Sequence, residues 1–284
     1  MENKTNINWY PGHMAKTKKE ISEIISMVDV VIEVIDSRIP FSSRIPDLSN
    51  ITRNKKNIIV FNKYDLCDKV ETEKWIYKFE TDGYITVTCD SKNSNDYKKI
   101  VTAVNNLMID VNNKRKAKGL LSKKAKCIVI GVPNVGKSTL INKLIGKKVL
   151  GVGNKPGITK NLTTTRVNEY IDLVDTPGIL WPKLESENVA YNLAAMTIIK
   201  EEILTVEDIG IYILKMLDKY YPNILKDEFG LISYDNDNIE ESFVSISKFK
   251  NIPINSEVDY EKISLLILNS IKQEKIKGIT FDRV

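Results

Sequence analysis

The sequence GVPNVGKST, from Gly131 to Thr139, has the residues and spacing needed to bind the phosphates of a nucleotide. It fits the pattern G-x-x-x-x-G-K-[ST] and lies between the apolar run CIVI and the helix-like segment STLINKLIG. That order of strand, glycine-rich loop and helix is typical of a phosphate loop, whose N–H groups face the phosphates at a helix amino end. Lys137 would reach the β and γ phosphates, and Ser138 would offer its hydroxyl to Mg2+. The other predicted contacts of this loop are Asn134, Val135, Gly136 and Thr139.

Residues further along the chain could complete a magnesium and γ-phosphate site. The sequence YIDLVDTPG ends an apolar run with Asp175, whose carboxylate could hold Mg2+ through a water, and Gly178 would present an N–H to the γ-phosphate. Between the two motifs lies KPGIT, where the hydroxyl of Thr159 could ligate Mg2+ only while the γ-phosphate is present. Thr159 is therefore a candidate for a first switch, with an ordinary loop threonine as the alternative.

A base-reading motif is found in the sequence NKYD, residues 62–65, directly after the apolar run IIVF. A fixed carboxylate at Asp65 would accept hydrogen bonds from the ring N–H and the exocyclic amine of guanine. Adenine lacks that donor pair and would leave the carboxylate unsatisfied. Asn62 would contact the opposite edge of the purine and the stem of Lys63 would cover a ring face. In the segment CDSK, Ser91 could supply a backbone amide, although the segment departs from the usual Ser-Ala-Lys.

The elements that must position these residues follow an alternating pattern. Apolar, β-branched runs alternate with segments whose apolar residues have helical spacing, which predicts a doubly wound α/β domain with a mostly parallel sheet over residues 1–186. From residue 187 to 284 the apolar residues repeat at three and four, which predicts a small all-helical domain. The predicted strands are Val30–Ile35, Ile58–Phe61, Ile85–Thr88, Cys127–Gly131 and Ile171–Val174, and helical spacing covers Thr72–Thr81 and Tyr97–Val111.

The order of the motifs is unusual, because the base-reading motif at residue 62 precedes the phosphate loop at residue 131. A parallel sheet fixes where strands lie and not their order along the chain, so the same site can form if the old termini are joined and new ends are opened elsewhere. The segment Asn112–Lys126, which contains seven Lys or Arg residues, is the predicted join. It could be a solvated linker or a patch that contacts phosphates. The second switch would then lie directly before the helical domain.

Taken in order, PGHMAK at residues 11–16, NKYD, GVPNVGKST, KPGITK and DTPGILWPK resemble the circularly permuted ribosome-biogenesis GTPases of the YlqF/RbgA group. The resemblance covers nearly the whole chain and is less specific over the last hundred residues. It implies a circularly permuted P-loop GTPase domain followed by a helical domain. It also implies a role in late maturation of the large ribosomal subunit, with GTP, GDP and Mg2+ as cofactors and rRNA or the subunit precursor as partner.

The residue that orients the catalytic water would differ from that of many GTPases. Ile179 stands where many GTPases carry a water-orienting glutamine. His13, the sole histidine of the chain, could orient or deprotonate the water once a partner orders its segment, or it could be merely structural. Asn134 could help bind K+, whose charge would replace that of an arginine finger, or could simply be a permissive loop residue.

Composition and charge limit the other possibilities. The 284 residues are 42% hydrophobic, and the N-terminus has no apolar signal-like core, which predicts a soluble cytoplasmic protein. Off the ribosome we expect a monomer. Three cysteines and one histidine favour neither a disulfide framework nor a zinc cluster. Residues 1–126 hold 23 basic and 16 acidic side chains, whereas residues 187–284 hold 11 and 17. The basic part is the candidate RNA surface, with Lys272–Lys277 as a local alternative in the acidic part.

Three functions remain open at this stage. The first is an assembly GTPase that binds the immature large subunit in the GTP state and leaves after hydrolysis. The second is a regulatory GTPase that acts on protein partners without RNA, and the third is a scaffold whose nucleotide is not turned over. A segment with a repeated Arg-Ile-Pro unit, DSRIPFSSRIP at residues 36–46, is expected to form a rigid loop near the site or to serve only the fold.

Overall fold

The computed structural model describes residues 22–46, 48–52, 55–90, 92–93, 95–146, 164–174, 186–199, 204–254 and 257–284. Five parallel strands and one short antiparallel strand form a single sheet in the order β3-β2-β1-β4-β6-β5. This arrangement confirms the mostly parallel sheet that the apolar runs predict. The strands are β1 (Val30–Asp36), β2 (Lys56–Asn62), β3 (Ile85–Cys89), β4 (Ala125–Ile130), β5 (Thr164–Arg166) and β6 (Ile171–Val174).

The position of β4 in the sheet is the structural counterpart of the permuted motif order. β4, the strand that leads into the phosphate loop, is fourth along the chain and follows the strand β2 that ends in the base-reading motif. In the sheet it is paired with β1 on one side and β6 on the other. Because the pairings are parallel, the carboxyl ends of β1, β2, β3 and β4 meet at one edge of the sheet. Asp36 is in register with Asn62, and Asn62 with Cys89. The loops that follow these strands are therefore neighbours in space whatever their order in the sequence.

Helices cover both faces of the sheet and then continue as a helical part of the chain. The helix that follows β3 buries Tyr97, Ile100, Val104 and Met108, which are spaced three or four residues apart and share one cluster with Val30, Ile32 and Val34 of β1. The helices are α1 (Leu48–Ile51), α2 (Lys69–Thr81), α3 (Asp96–Ala117), α4 (Lys137–Ile145), α5 (Glu187–Ala195), α6 (Val206–Tyr220), α7 (Pro222–Phe229), α8 (Ile239–Phe249) and α9 (Tyr260–Lys272).

The helical part shares its core with the α/β part. One cluster of buried side chains extends from the sheet through α5 and α6 to Phe281, which is 2% exposed. The sequence-based division at residues 186 and 187 stays a prediction. The residues that follow α9, however, pack back onto loops at the edge of the sheet.

The basic segment Asn112–Lys126 is not a single connecting segment, as the sequence predicts, but is divided between a helix, a short connection and a strand. Helix α3 continues through Ala117, and β4 begins at Ala125, so that only residues 118–124 connect them. The longer helix has a physical reason, because three cationic side chains in its last turn interact favourably with the negative end of the helix dipole. This connection, which we call the join, lies at the amino-terminal end of β4, and the phosphate loop follows its other end.

The loop after β1 is anchored by a carboxylate from inside the sheet. Glu33 is 2% exposed and accepts a bond of 2.8 Å from the Ile45 N–H, while Arg44 donates two bonds to it, at 3.1 and 2.9 Å. The Arg44 guanidinium lies over the rings of Phe79 and Tyr84. The repeated Arg-Ile-Pro segment is therefore held rigidly at the edge of the sheet where the predicted site residues meet, as the sequence suggests.

Candidate nucleotide site

The phosphate loop lies between β4 and α4, as its motif requires. Gly131 and Gly136 have φ of +153° and +100°, so both adopt backbone conformations that side chains rarely allow. A Cβ on Gly131 would lie 2.3 Å from the Val34 carbonyl oxygen, and one on Gly136 would lie 2.2 Å from Nδ2 of Asn62. The glycines are thus needed for close packing against β1 and the base-reading motif as well as for the turn.

Lys137, at the first position of α4, turns back into the phosphate loop. Its Nζ donates to the carbonyl of Val132 at 2.5 Å, and burial lowers the pKa of Lys137 to about 8. Among the described residues, burial alone accounts for this lowered pKa, and a buried ammonium is stabilised by an anion such as phosphate. The position and environment of Lys137 therefore fit its predicted contact with the β and γ phosphates.

Asn62 connects the base-reading motif to the phosphate loop. Its Nδ2 donates to the carbonyl of Val135 at 2.6 Å, although the two residues are 73 positions apart. The side chain is buried, and its Oδ1 has no hydrogen-bond partner among the described residues. A buried amide oxygen without a donor is costly in a finished structure, so a ligand or water on this side would satisfy it. The Asn62 amide therefore lies between the base-reading motif and the phosphate loop and could contact a nucleotide bound to both.

Lys63 is held by residues that the motif analysis did not assign to the site. Its Nζ lies 2.9 Å from Asp36, and Arg38 donates two side-chain bonds to the same carboxylate, at 2.9 and 2.8 Å. Burial raises the pKa of Asp36, but the charges and hydrogen bonds of Arg38 and Lys63 outweigh that effect and hold it well below its usual range. Lys63 itself has φ of +58°, an uncommon backbone state for a residue with a side chain. Asp36 and Arg38 thus fix the stem that is predicted to cover the base.

Asp65, the predicted guanine reader, is partly exposed and lies in a short chain of charges. Lys92 is 3.3 Å from Asp65 and 2.6 Å from Glu274, which follows α9 near the end of the chain. Lys92 belongs to the CDSK segment, so that segment does approach the base-reading motif. The predicted backbone contact of Ser91 lies outside the described residues.

Asn134, Ser138 and Thr139 occupy the remaining described positions of the phosphate loop. The Nδ2 of Asn134 donates to the carbonyl of Thr197, just after α5, at 2.7 Å, so its amide ties this loop to the helical part. Ser138 is half-buried and Thr139 is exposed. His13, Thr159, Asp175 and Gly178 also lie outside the described residues, so their predicted roles stay predictions.

Within the described residues, no group of three or more His, Cys, Asp or Glu side chains is placed to hold a metal ion. Over the same part of the chain, no helix is long and apolar enough to span a membrane. Of the predicted magnesium ligands, Ser138 is the one whose position is described, beside Lys137 in the first turn of α4. A hydroxyl at that position fits a magnesium ion that is shared with bound phosphates.

Comparison with protein families gives a match to the family described as 50S ribosome-binding GTPase, over residues 126–252. The match begins in β4 and leaves β1–β3 and NKYD outside, as expected when a chain is permuted relative to its family. A solved structure, GNP-bound YlqF from Thermotoga maritima, has a TM-score of 0.65 and 24% identity, over 94% of this chain and 98% of that one. This likeness confirms the fold.

Two curated bacterial relatives extend the similarity over almost the full chain. Ribosome biogenesis GTPase A of Bacillus licheniformis is 37% identical over 278 residues, with 98% of each chain covered. The protein of the same name from Priestia megaterium is 38% identical, with 97% of this chain and 96% of that one covered. Together with the permuted sheet and the paired nucleotide loops, these matches confirm the resemblance seen in the motifs: the chain belongs to the ribosome biogenesis GTPase A family.

Proposed function

We propose that this protein binds and hydrolyses GTP and assists late maturation of the large ribosomal subunit. It binds the immature subunit and its rRNA in the GTP state and leaves after hydrolysis. It acts in the cytoplasm, as a monomer when off the ribosome. The observation that carries the nucleotide part is the bond of 2.6 Å between Asn62 and Val135, which brings the base-reading motif against the phosphate loop. Family membership supports the ribosomal part.

The proposed reaction divides its tasks among residues of this chain. Asp65 selects guanine, Asn62 and Lys63 frame the base, and Lys137 binds the β and γ phosphates. Ser138, Thr159 and Asp175 would hold Mg2+, which would neutralise phosphate charge. Gly178 presents an N–H to the γ-phosphate, and the other loop residues enclose the phosphates. His13 orients the attacking water once the ribosomal particle is bound. Asn134 would help hold K+, which would supply the charge that an arginine finger supplies in other GTPases.

Hydrolysis measurements test this proposal directly. We expect turnover of GTP and not ATP, faster in K+ than in Na+, and faster again when large-subunit precursors are added. His13→Ala should remove the stimulation by particles and leave GDP affinity unchanged. If this variant were stimulated like the unmodified protein, while Ser138→Ala was inactive, the catalytic role of His13 would be wrong. Binding without turnover under every condition would instead favour the scaffold.

Gly136→Ala should weaken GDP binding by at least tenfold, because its Cβ would lie 2.2 Å from the Asn62 amide nitrogen. The displaced amide could no longer join the two loops. Gly146→Ala is the matched control, since Gly146 also has positive φ, +70°, but a Cβ there meets none of the described residues within 4 Å. Titration with a fluorescent GDP analogue measures both. Equal losses in the two variants would show that backbone strain alone, and not the contact with Asn62, controls affinity.

GDP affinity should fall as the pH rises from 7 to 9. The pKa of Lys137 is lowered to about 8, and a phosphate beside it would raise that pKa, so binding above pH 8 requires uptake of a proton. Calorimetry in two buffers of different ionisation enthalpy measures the uptake. Lys137→Gln should bind GDP weakly and without proton uptake by residue 137. Any uptake that remains in this variant would come from other groups, such as guanine itself. An unmodified protein whose affinity and proton uptake were constant over this range would contradict the expected role.

The join and the last turn of α3 together form the RNA-contacting surface in this proposal. Lys114, Lys116 and Lys118 are exposed, whereas Lys123 is paired with Asp29 at 2.5 Å. Leu121 at the tip of the connection is 89% exposed. A cluster of exposed lysines fits the phosphate backbone of RNA, because contact releases condensed counterions. Since the join and the phosphate loop lie at opposite ends of β4, this surface and the nucleotide can be bound at the same time.

Replacing Lys114, Lys116 and Lys118 together by Gln should weaken binding to large-subunit precursors and reduce the salt slope by up to about 3. GDP affinity should not change. The same change at Lys226, Lys248 and Lys262, exposed lysines of the helical part, is the matched control. Replacing Lys272, Lys275 and Lys277 tests the local alternative. If only this last variant lost affinity, the RNA surface would lie in the helical part. Salt-insensitive or absent particle binding would favour the regulatory alternative.

A further inference from the structure

The residues after α9 pack against the base-binding side of the nucleotide site. We call residues 274–284 the C-terminal segment and residues 62–66 the base-reading loop. The N–H groups of Gly278 and Ile279 donate to the carbonyl of Leu66, at 2.8 and 3.4 Å, directly after the NKYD motif. Ile276, Ile279 and Phe281 of the segment are at most 2% exposed. The segment is therefore a packed part of the structure and touches the backbone of the base-reading loop.

The same segment fixes the loop that holds Lys63. The Phe281 N–H donates to the carbonyl of Arg38 at 2.7 Å, and Arg38 in turn binds Asp36, the partner of Lys63. The next residue, Asp282, has a buried carboxylate. It accepts bonds from the Phe41 and Ser42 N–H groups at 2.8 and 2.7 Å, from the Ser42 hydroxyl at 2.6 Å, and from the Asn192 amide at 2.8 Å. Four donors on one buried carboxylate hold the loop after β1 in a single position.

A tyrosine from the helical part joins the segment to the start of α2, just after the base-reading loop. The Tyr221 hydroxyl donates to Asp68, the N-cap of α2, at 3.1 Å. It also accepts from the Thr280 N–H at 2.8 Å, and the Asp68 N–H donates to the Thr280 hydroxyl at 3.2 Å. The chain is thus tied to the C-terminal segment at Leu66 and Asp68, directly after the base-reading residues Asn62 and Asp65.

Asp65 itself is linked to the segment by charge. Lys92 bridges Asp65 and Glu274, with its shorter contact, 2.6 Å, to Glu274. Because Glu274 shares the ammonium, Lys92 is held beside Asp65 without neutralising it fully. Asp65 can then still accept the two donors of guanine.

From these contacts we propose that the C-terminal segment is a positioning element of the guanine site: it holds the base-reading loop, and nucleotide and segment stabilise each other. The proposal rests on the proposed binding of guanine nucleotides. Coupling of this kind is reciprocal, so GDP must strengthen docking of the segment by the same factor by which docking strengthens GDP binding. A partner that pulled the segment away would consequently loosen the nucleotide.

Amide hydrogen exchange in the full-length protein tests the reciprocal effect. With saturating GDP, exchange at Gly278 and Phe281 should slow by at least threefold. The amide of Gly230, which donates to Lys226 at the end of α7, is the internal control and should change less, because it lies outside the proposed element. Equal slowing at all three amides, or no slowing, would overturn the proposal.

Two variants and their controls test the effect of the segment on the base. Tyr221→Phe removes the hydroxyl that bridges Asp68 and Thr280, and Tyr234→Phe is the control, since the Tyr234 hydroxyl has no partner among the described residues. Glu274→Gln removes the charge next to Lys92, and Glu261→Gln removes the same charge from an exposed position on α9. We expect GDP affinity to fall about tenfold in Tyr221→Phe and about threefold in Glu274→Gln.

The ratio of GDP to inosine diphosphate affinity separates positioning from general stability. Inosine lacks the exocyclic amine and so makes one bond fewer to Asp65, and a displaced Asp65 costs GDP more than it costs the inosine nucleotide. The ratio should fall in Tyr221→Phe and Glu274→Gln and stay constant in both controls. Equal losses for both nucleotides, which leave the ratio unchanged, would overturn the proposal. If the unmodified protein did not prefer guanine at all, the proposed function would fail instead.

Discussion

In the proposed nucleotide site, the hydrogen bond from the Asn62 amide to the Val135 carbonyl is the contact on which the arrangement depends. It joins residues 73 positions apart and leaves no room for a Cβ on Gly136. The phosphate loop alone would bind phosphate groups, and the base-reading loop alone would present a carboxylate to solvent. Because the amide holds the two loops together, it would set the distance between base and phosphates in the proposed binding mode before a nucleotide arrives. Less ordering would then be needed on binding.

The permuted order of the chain changes what holds each loop but not where the loops lie. Parallel pairing of β1 with β2 and β4 brings the carboxyl ends of these strands to one edge, and this requirement does not depend on which strand comes first. Joining α3 to β4 through residues 118–124 fixes the chain at the opposite edge. The nucleotide loops are consequently free of the join and receive their additional support from the helical part, through Thr197 and the C-terminal segment.

The motifs and their strands could be predicted from local sequence patterns. The residues that support them could not, because their contacts join distant parts of the chain. GVPNVGKST and NKYD carry their chemistry in a few consecutive residues, and the strands before them are short apolar runs, so both could be placed from the sequence. The buried carboxylates of Asp36 and Asp282 could not. Asp282 accepts a hydrogen bond from Phe41, 241 residues away, and nothing in the neighbouring sequence indicates that partner.

The DSRIP segment attracted attention, since two Arg-Ile-Pro units after a strand are unusual, but its sequence did not indicate the role of Arg38. The end of α3 was misplaced because a run of lysines resembles a linker, although helix dipoles favour such a run at a carboxyl end.

The acidic character of residues 187–284 becomes understandable from the same contacts. Their 17 acidic side chains include Glu274, which pairs with Lys92, and Asp282, which binds donors of the loop after β1. Part of this charge therefore serves attachment to the more basic residues 1–126. The C-terminal segment itself is not acidic, because Lys275, Lys277 and Arg283 outnumber Glu274 and Asp282. Glu274 and Asp282 therefore act through their individual partners, Lys92 and the donors after β1, and not through a net negative charge of the segment.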